Sequence, residues 1–385
     1  MYKIGIVTGT RAEYSLLKPL IQKVSDDNEL EPCLIVTGTH LEKKFGNTVQ
    51  EIVKDGYIIH FKVPMNLESD DPRGICISMS QELKGLSIIF EKTKLDMVFL
   101  LGDRYEMLIV AIAAMMFQIP IAHLHGGEIT EGAMDDAIRH CISKMSSIHF
   151  PSTKISAKRL KQLGEPPNRI FPVGALGVEN IKRINYLDKS ELCKTYSPLF
   201  GNPYIMVTYH PVTLEKNTAE SQFQQLLSAI SEKKEYSYIF TYANADTEGN
   251  IINILIEDYV GKHENACAFC SMGQRGYLSA LNYAVCVLGN SSSGIIEAPS
   301  FHIPTVNIGN RQKGREYSES VVSCGNTKKE ICAALEYALS EAFLEKCRKC
   351  HNPYEKNDTS KKIISITKKI LKSDFDIKKK FLDVI

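Results

Sequence analysis

The residues best suited to chemistry fall in two groups. The first lies in the N-terminal half, in the runs Thr8-Gly9-Thr10-Arg11, Gly102-Asp103-Arg104, HLHGGE (His123 to Glu128) and MDDAIRH (Met134 to His140). Arg11 falls where a helix would start, so its guanidinium and exposed backbone N–H groups are suited to an anion. Pairing of Arg11 with Glu13 is the plainer reading. Asp103 and Arg104 follow an apolar run directly, a costly place for charge unless it caps a helix or serves a cleft; Asp103 as an N-cap is compatible with either. Period-two alternation puts His123 and His125 on one strand face, a Gly-Gly turn lets backbone approach a ligand, and Glu128 follows as a candidate general acid or base. Two histidines and a glutamate also suggest a metal, but no recognised zinc spacing accompanies them. Asp135/Arg139 and Asp136/His140 are four apart, the spacing of solvated ion pairs on a helix.

The second group lies in the C-terminal half. His210 ends an apolar run and precedes Pro211, which holds it at an edge rather than on a core face, and Asn244 and Asp246 follow the next such run. The strongest signal is GNSSSGIIEAPSFHIPTVNIGNRQKGRE (Gly289 to Glu316). A strand that ends in Gly-Asn-Ser-Ser-Ser-Gly and opens a helix offers successive N–H groups and hydroxyls, from Ser291 and Ser292 among others, to a diphosphate at the positive helix end. Glu297, a turn further on, suits the vicinal hydroxyls of a ribose, and Arg311 adds a cation for phosphate. A structural turn explains the glycines but not the serines, glutamate and arginine together. The N-terminal half has no GxGxxG, which disfavours a dinucleotide there.

Such residues need a scaffold that gathers strand ends. Short Val/Ile/Leu-rich runs alternate with stretches of helical period, the signature of parallel sheets covered by helices. Strands are predicted at Lys3–Val7, Pro32–Val36, Met97–Leu101, Pro120–His125, Ser147–Phe150 and Arg169–Val173, then Tyr204–Thr208, Tyr238–Tyr242, Ala266–Phe269, Val285–Leu288 and Thr305–Ile308. Helices are predicted at Glu13–Val24, Arg104–Phe117 and Lys189–Tyr196. The expected fold class is α/β, two Rossmann-like doubly wound domains: residues 1–175 with a C-terminal helix at 362–385 packed back on them, and residues 176–361. Ligands in such sheets sit beyond the carboxyl ends of the strands, where both groups fall.

Composition narrows the class. The chain has 385 residues, 44% hydrophobic and 24% charged, with 46 Lys+Arg against 45 Asp+Glu. That balance excludes collagen-like and disordered classes and provides no general field for polyanions, so no nucleic-acid partner is expected. The longest apolar run, Met107 to Phe117, is shorter than the roughly 18 residues a membrane helix needs, so no membrane association is expected. Eleven cysteines without small-domain spacing and a start without a secretory signal point to reduced thiols in a cytoplasmic protein. Cys267/Cys270 and the haem-like Cys347-Arg-Lys-Cys350-His351 read as accidents of sequence.

The combination VTGTRAEYS, TGTHLEKKFGNT, GDRYE, HLHGGE, DDAIRH, HPVT, GNSSSGIIEAP and NIGNRQKGRE, in this order from about residue 3 to 320, resembles the UDP-N-acetylglucosamine 2-epimerases. The nearest likeness is to the hydrolysing branch that makes N-acetylmannosamine for bacterial sialic acid synthesis. The resemblance implies a glycosyltransferase-B-like pair of domains with the active site in the cleft between them. It implies that Arg11, Ser15, Arg104, Asn244, Ser291, Ser292, Glu297 and Arg311 hold UDP, that Asp103, Glu128, Asp135 and His210 transfer protons around the sugar, and that His40, His125 and Arg139 support the sugar site. No cofactor and no metal are implied, and a homo-oligomer, dimer or tetramer, is. Many relatives read His-Ile-Glu-Gly-Gly-Glu where this chain has His125 in place of the first glutamate, which leaves the division of labour between residues 125 and 128 open. A UDP-linked diacetamido sugar is an alternative substrate, and a UDP-sugar glycosyltransferase or a non-catalytic sensor would share the GNSSSG site.

Overall fold

The computed structural model describes residues 1–69, 71–131, 133–212, 215, 217–243, 249–373 and 375–383. Among the described residues twelve strands are formed: β1 (Tyr2–Thr8), β2 (Leu30–Val36), β3 (Phe61–Lys62), β4 (Met97–Leu101), β5 (Ile121–Leu124) and β6 (Ile148–Phe150), then β7 (Tyr204–Thr208), β8 (Ser237–Thr241), β9 (Ala266–Phe269), β10 (Cys286–Gly289), β11 (Thr305–Ile308) and β12 (Val321–Cys324). They make two parallel six-stranded sheets, ordered β3-β2-β1-β4-β5-β6 and β12-β11-β10-β7-β8-β9. Relabelled from its own first strand, the second order is the first read backwards. Both are the doubly wound 3-2-1-4-5-6 arrangement, in which strand order reverses between the first and fourth strands.

The chain divides into two compact units. Unit 1 holds Met1–Glu128, Asp135–Asn180 and Lys356–Ile385; unit 2 holds Ile129–Met134 and Ile181–Glu355. The short segment between Glu128 and Asp135 belongs to unit 2.

Alternation along the strands builds a core on each sheet face. On β1 and β4, Ile4, Ile6, Met97, Phe99 and Leu101 enter one cluster and Val7, Val98 and Leu100 the other. On β7 and β10, Ile205, Val207, Cys286 and Leu288 face one way, and Tyr204, Met206 and Val287 the other. Strands buried on both sides explain why these runs read as continuously apolar. The helix Tyr105–Met116 is buried along most of its length, but Met115 and Met116 are exposed at its end.

Three element expectations are corrected. Arg169–Val173 is not a strand; it runs beside β6 with Phe171 N donating to His149 O and Val173 N to Pro151 O, and Pro151, facing it, has no N–H to return the bond to Phe171 O that would extend the ladder. The edge strands β3 and β12 were unforeseen, because two residues in one case and a half-exposed segment in the other carry no clear periodicity. The C-terminal helix spans Thr359–Lys372, not 362–385. It ends at Ser373, after which Asp376 accepts from the N–H of Lys378, a local turn that competes with helix. Ile363 and Ile364 of this helix lie in the unit 1 core, while Lys368 pairs with Asp27 and Glu29.

Candidate active site

In unit 1 the ends of β1 and β4, on either side of the reversal, carry Arg11 and Asp103-Arg104. Thr10 and Glu13 form a capping box that opens the helix Arg11–Ser25, and Glu13 accepts from the N–H of Gly9 at 2.8 Å and of Thr10 at 3.2 Å. Those two donors are therefore spent on the chain's own carboxylate, so an anion here depends on the Arg11 guanidinium rather than on them. Arg11 pairs with Glu51 at 3.8 Å, not with Glu13. The carbonyl of Ser15, one turn on, accepts from Asn180. His40 is fully buried between the hydroxyls of Thr8 (3.1 Å) and Thr48 (2.8 Å), and burial pushes it down to about 4, so it stays neutral.

Asp103 is not an N-cap. The helix starts at Tyr105 with Arg104 in the capping position, and Asp103 is paired instead with Arg139. Arg139 is the surprise: spacing suggested a solvated ion pair, yet this side chain is 1% exposed. Besides Asp103 it reaches Asp136 at 3.4 Å, three residues back, and donates to the backbone oxygen of Glu128 at 2.9 Å. A cation this deep persists only when its donors are matched by acceptors. One arginine thus ties the ends of β4 and β5 to the helix Asp135–Met145. Arg104 donates to Glu106 at 2.7 Å.

The two histidines do not share a strand face, because β5 ends at Leu124 and His125 has a left-handed φ of 65°. His123 donates from Nε2 to Gly102 O at 2.7 Å and meets Ser143 Oγ at 3.1 Å through Nδ1; burial pushes it down to about 3. A carbonyl can only accept, so the proton sits on Nε2 and the ring is a neutral brace. His125 Nδ1 lies 3.0 Å from Glu128 Oε1, which also accepts from Ser152 at 2.6 Å. Asp103, Glu128, His125 and Arg139 are brought together, and Asp135, half-buried, opens the helix that carries Arg139.

In unit 2 the reversal lies between β7 and β10. Asn290 is fully buried; its side chain accepts from His210 N at 2.7 Å and donates to His210 O at 2.8 Å, clamping the two strand ends together. Its own carbonyl accepts from Gln312 at 2.9 Å and Arg311 at 3.2 Å, bringing the NIGNRQ loop to the same place. Gly289 has φ 134°, and a Cβ there would overlap the Thr208 carbonyl. Ser291 caps a helix of five residues, Ser292–Ile296. A dipole that short is weak, so the expected positive helix end reduces to turn N–H groups and hydroxyls. Glu297 closes this helix rather than sitting within it, and burial raises its pKa, with Ser293 opposing. Asn244 and Asp246 lie outside the described residues. Asn290, Gln312, Ser152 and Glu106 went unread in the sequence; Asn290 alone had a signal, its place between Gly289 and the serines.

Among the described residues no group of three or more His, Cys, Asp or Glu side chains is arranged to hold a metal ion, and no helix is long and apolar enough to cross a membrane.

Two doubly wound parallel sheets define an α/β fold of the glycosyltransferase-B-like class. Solved structures agree on the fold: "S. aureus MnaA-UDP co-structure" superimposes with a TM-score of 0.81 over 100% of both chains at 18% identity. The sequence matches the profile described as UDP-N-acetylglucosamine 2-epimerase over residues 22–368. It is 41% identical to the GDP/UDP-N,N'-diacetylbacillosamine 2-epimerase (hydrolyzing) of Campylobacter jejuni, covering 99% of each chain, and 38% identical to polysialic acid biosynthesis protein P7 of Escherichia coli, covering 100% and 98%. The chain belongs to the UDP-N-acetylglucosamine 2-epimerase family.

Proposed function

We propose that the protein is a hydrolysing 2-epimerase of a UDP-linked 2-acetamido sugar, releasing UDP and the free 2-epimer. The observation that carries this reading is that the buried Arg139 pairs with the Asp103 carboxylate and holds the backbone oxygen of Glu128, whose own carboxylate meets His125 and Ser152. A glycosyltransferase ordinarily needs one base; removing a C2 proton and returning one to the opposite face needs two proton carriers. In the first step a carboxylate, Asp103 or Glu128, takes the C2 proton while the C1–O bond to UDP breaks, leaving an unsaturated glycal. Arg11, Arg104 and Arg311 stabilise the departing diphosphate, with Ser15, Asn244, Ser291 and Ser292 around it and Glu297 on the ribose. In the second step water adds at C1 and an acid protonates C2 from the other face. Asp135 and His210 complete the proton carriers, and His125, hydrogen-bonded to Glu128, sets that carboxylate's orientation. No metal or cofactor is assigned to either step.

The 41% identity to a diacetylbacillosamine epimerase favours a diacetamido sugar as substrate, with N-acetylglucosamine, and N-acetylmannosamine as product, as the second reading. Proton and phosphorus NMR in D2O with a chelator tests both. Free UDP and a 2-epimer deuterated at C2 from one sugar nucleotide and not the other assigns the substrate; inertness toward both refutes the proposal. Asp103→Asn and Glu128→Gln should each lower turnover by orders of magnitude with UDP still bound. We also propose a homo-oligomer, supported by exposed Met115, Met116 and Phe117 at the end of one helix, and checked by light scattering.

A further inference from the structure

Beneath the Gly9–Arg11 turn lie three carboxyl groups that the proposed chemistry does not use. Glu13, Glu82 and Glu106 come from three different helices and are 8%, 0% and 1% exposed. Gly9 is held between two of them. Its N–H donates to Glu13, and a Cβ on it would stand 2.9 Å from Glu106 Oε1. Each of the three is within electrostatic reach of the other two, and Arg104, bonded to Glu106 at 2.7 Å, is the cation facing them. His40 nearby stays neutral.

Hydrogen-bond bookkeeping locates a proton. Thr37 Oγ1 lies 2.9 Å from Val63 O and 3.0 Å from Glu82 Oε1. A hydroxyl has one proton and a carbonyl can only accept, so with Thr37 donating to Val63 O, a full hydrogen bond to Glu82, rather than a share of that one proton, calls for a neutral Glu82 that donates to Thr37. Burial and the two neighbouring glutamates agree, raising Glu82 well above the ordinary carboxyl range; burial and Glu106 push Glu13 up to about 8. Glu82 Oε2 and Glu106 Oε2 are buried with no hydrogen-bond partner.

We propose that Glu13, Glu82 and Glu106 form a proton-sharing cluster that positions Arg104, and that loading a nucleotide's phosphates onto Arg104 is coupled to uptake of a proton by the cluster. The inference rests on the assignment of Arg104 to the phosphates made above. A guanidinium that turns its Nε–H toward a diphosphate gives up its bond to Glu106. The buried cluster then loses the cation bonded to it, and uncompensated negative charge at that depth is costly. A proton enters from solvent, and no covalent bond changes. Glu106 and Glu82 are positioning residues, acting through Arg104.

Calorimetry of UDP binding to the full chain, in two buffers of different ionisation enthalpy at a pH where UDP itself is fully ionised, reads the coupling. About one proton should be taken up per UDP bound, and Glu106→Gln should abolish that uptake while UDP still binds. Infrared difference spectra, which need no variant, should gain a protonated-carboxyl stretch on UDP addition; before addition such a stretch should be present at neutral pH, and Glu82→Gln should lose the part of it that Glu82 carries while Glu13 keeps the rest. UDP binding without proton exchange, or uptake that persists in Glu106→Gln, overturns the coupling and leaves the nucleotide reading standing. Absence of UDP binding overturns that reading and the coupling with it, and an unaltered infrared band in Glu82→Gln overturns the proton assignment on its own.

Discussion

Replacing Arg139 by methionine keeps most of the side chain's volume and removes its charge. The structure sets the size of the loss. At 1% exposure the guanidinium holds Asp103, Asp136 and the backbone oxygen of Glu128, and its removal strands each acceptor differently. Breaking one side of a buried pair costs about 3–5 kcal/mol. The Asp103 side chain is 23% exposed and regains some water, which trims that figure, while the Glu128 carbonyl loses its donor and adds about 1 kcal/mol. A net loss of about 3 kcal/mol follows. In a unit of this size one kcal/mol moves Tm by roughly 2–4 °C, so melting monitored by circular dichroism should fall by roughly 6–12 °C. Asp103→Asn in the same background tests the pairing directly: the double variant should be more stable than the sum of the singles by about 1–2 kcal/mol. Turnover in Arg139→Met should drop by about 100-fold, since misplaced carboxylates lose orientation, with UDP affinity little changed. A Tm shift below about 2 °C, or additivity in the cycle, would refute the view that this arginine organises the carboxylates.

Acid should destabilise unit 1 through its histidines. His40 and His123 are held near 4 and 3 against an ordinary 6.5, so the unfolded chain binds more protons as pH falls through that interval. The contribution of these two histidines is therefore full above about 6.5 and should drop by roughly 4 kcal/mol between pH 7 and 5, opposed over the same interval by Glu13 and Glu82, whose raised pKa values favour the folded state in acid, so it is read as the difference between urea titrations of the native chain and of His123→Asn, which should remove about half of it. Gly289→Ala forces a methyl into the Thr208 carbonyl at a φ of 134° and should cost about 3 kcal/mol or more, with UDP binding lost, as read by melting and calorimetry. Lys379 donates to the fully buried Glu165 at 2.6 Å and to Ser146 O at 2.7 Å; Lys379→Met should cost about 2 kcal/mol and speed proteolysis of the C-terminal tail. Lys144 and His149 still reach Glu165 at 2.8 Å, which keeps that loss below the full penalty.

Fold class was legible because it is written in short-range pattern. Runs such as Ile4-Gly-Ile-Val7 and Met97-Val-Phe-Leu-Leu101 have to be strands covered on both faces, and with helical stretches between them the doubly wound arrangement is the one that buries them all. The residues after β1, β4, β5, β7 and β10 could be picked out for the same reason, since strand ends are where such sheets bind. Two exceptions were hidden: Pro151, facing the would-be strand at Arg169–Val173, cannot complete its ladder, and the turn at Asp376 follows the end of a helix that composition would have continued.

Partnership was a different matter. Spacing joined Asp136 to His140, and the 3.5 Å between them agrees, because four residues along a helix is a local distance. Nothing local could say that Arg139 is buried and reaches back to Asp103, or that Glu82, on another helix, closes a carboxyl cluster beneath Arg104. Those facts depend on which strands neighbour one another and how deeply their ends are packed. The identities of the acids and bases are a property of the chain; which are paired, neutral or short of a partner is a property of the packed sheet ends, because a charge's state is set by the dielectric and donors around it.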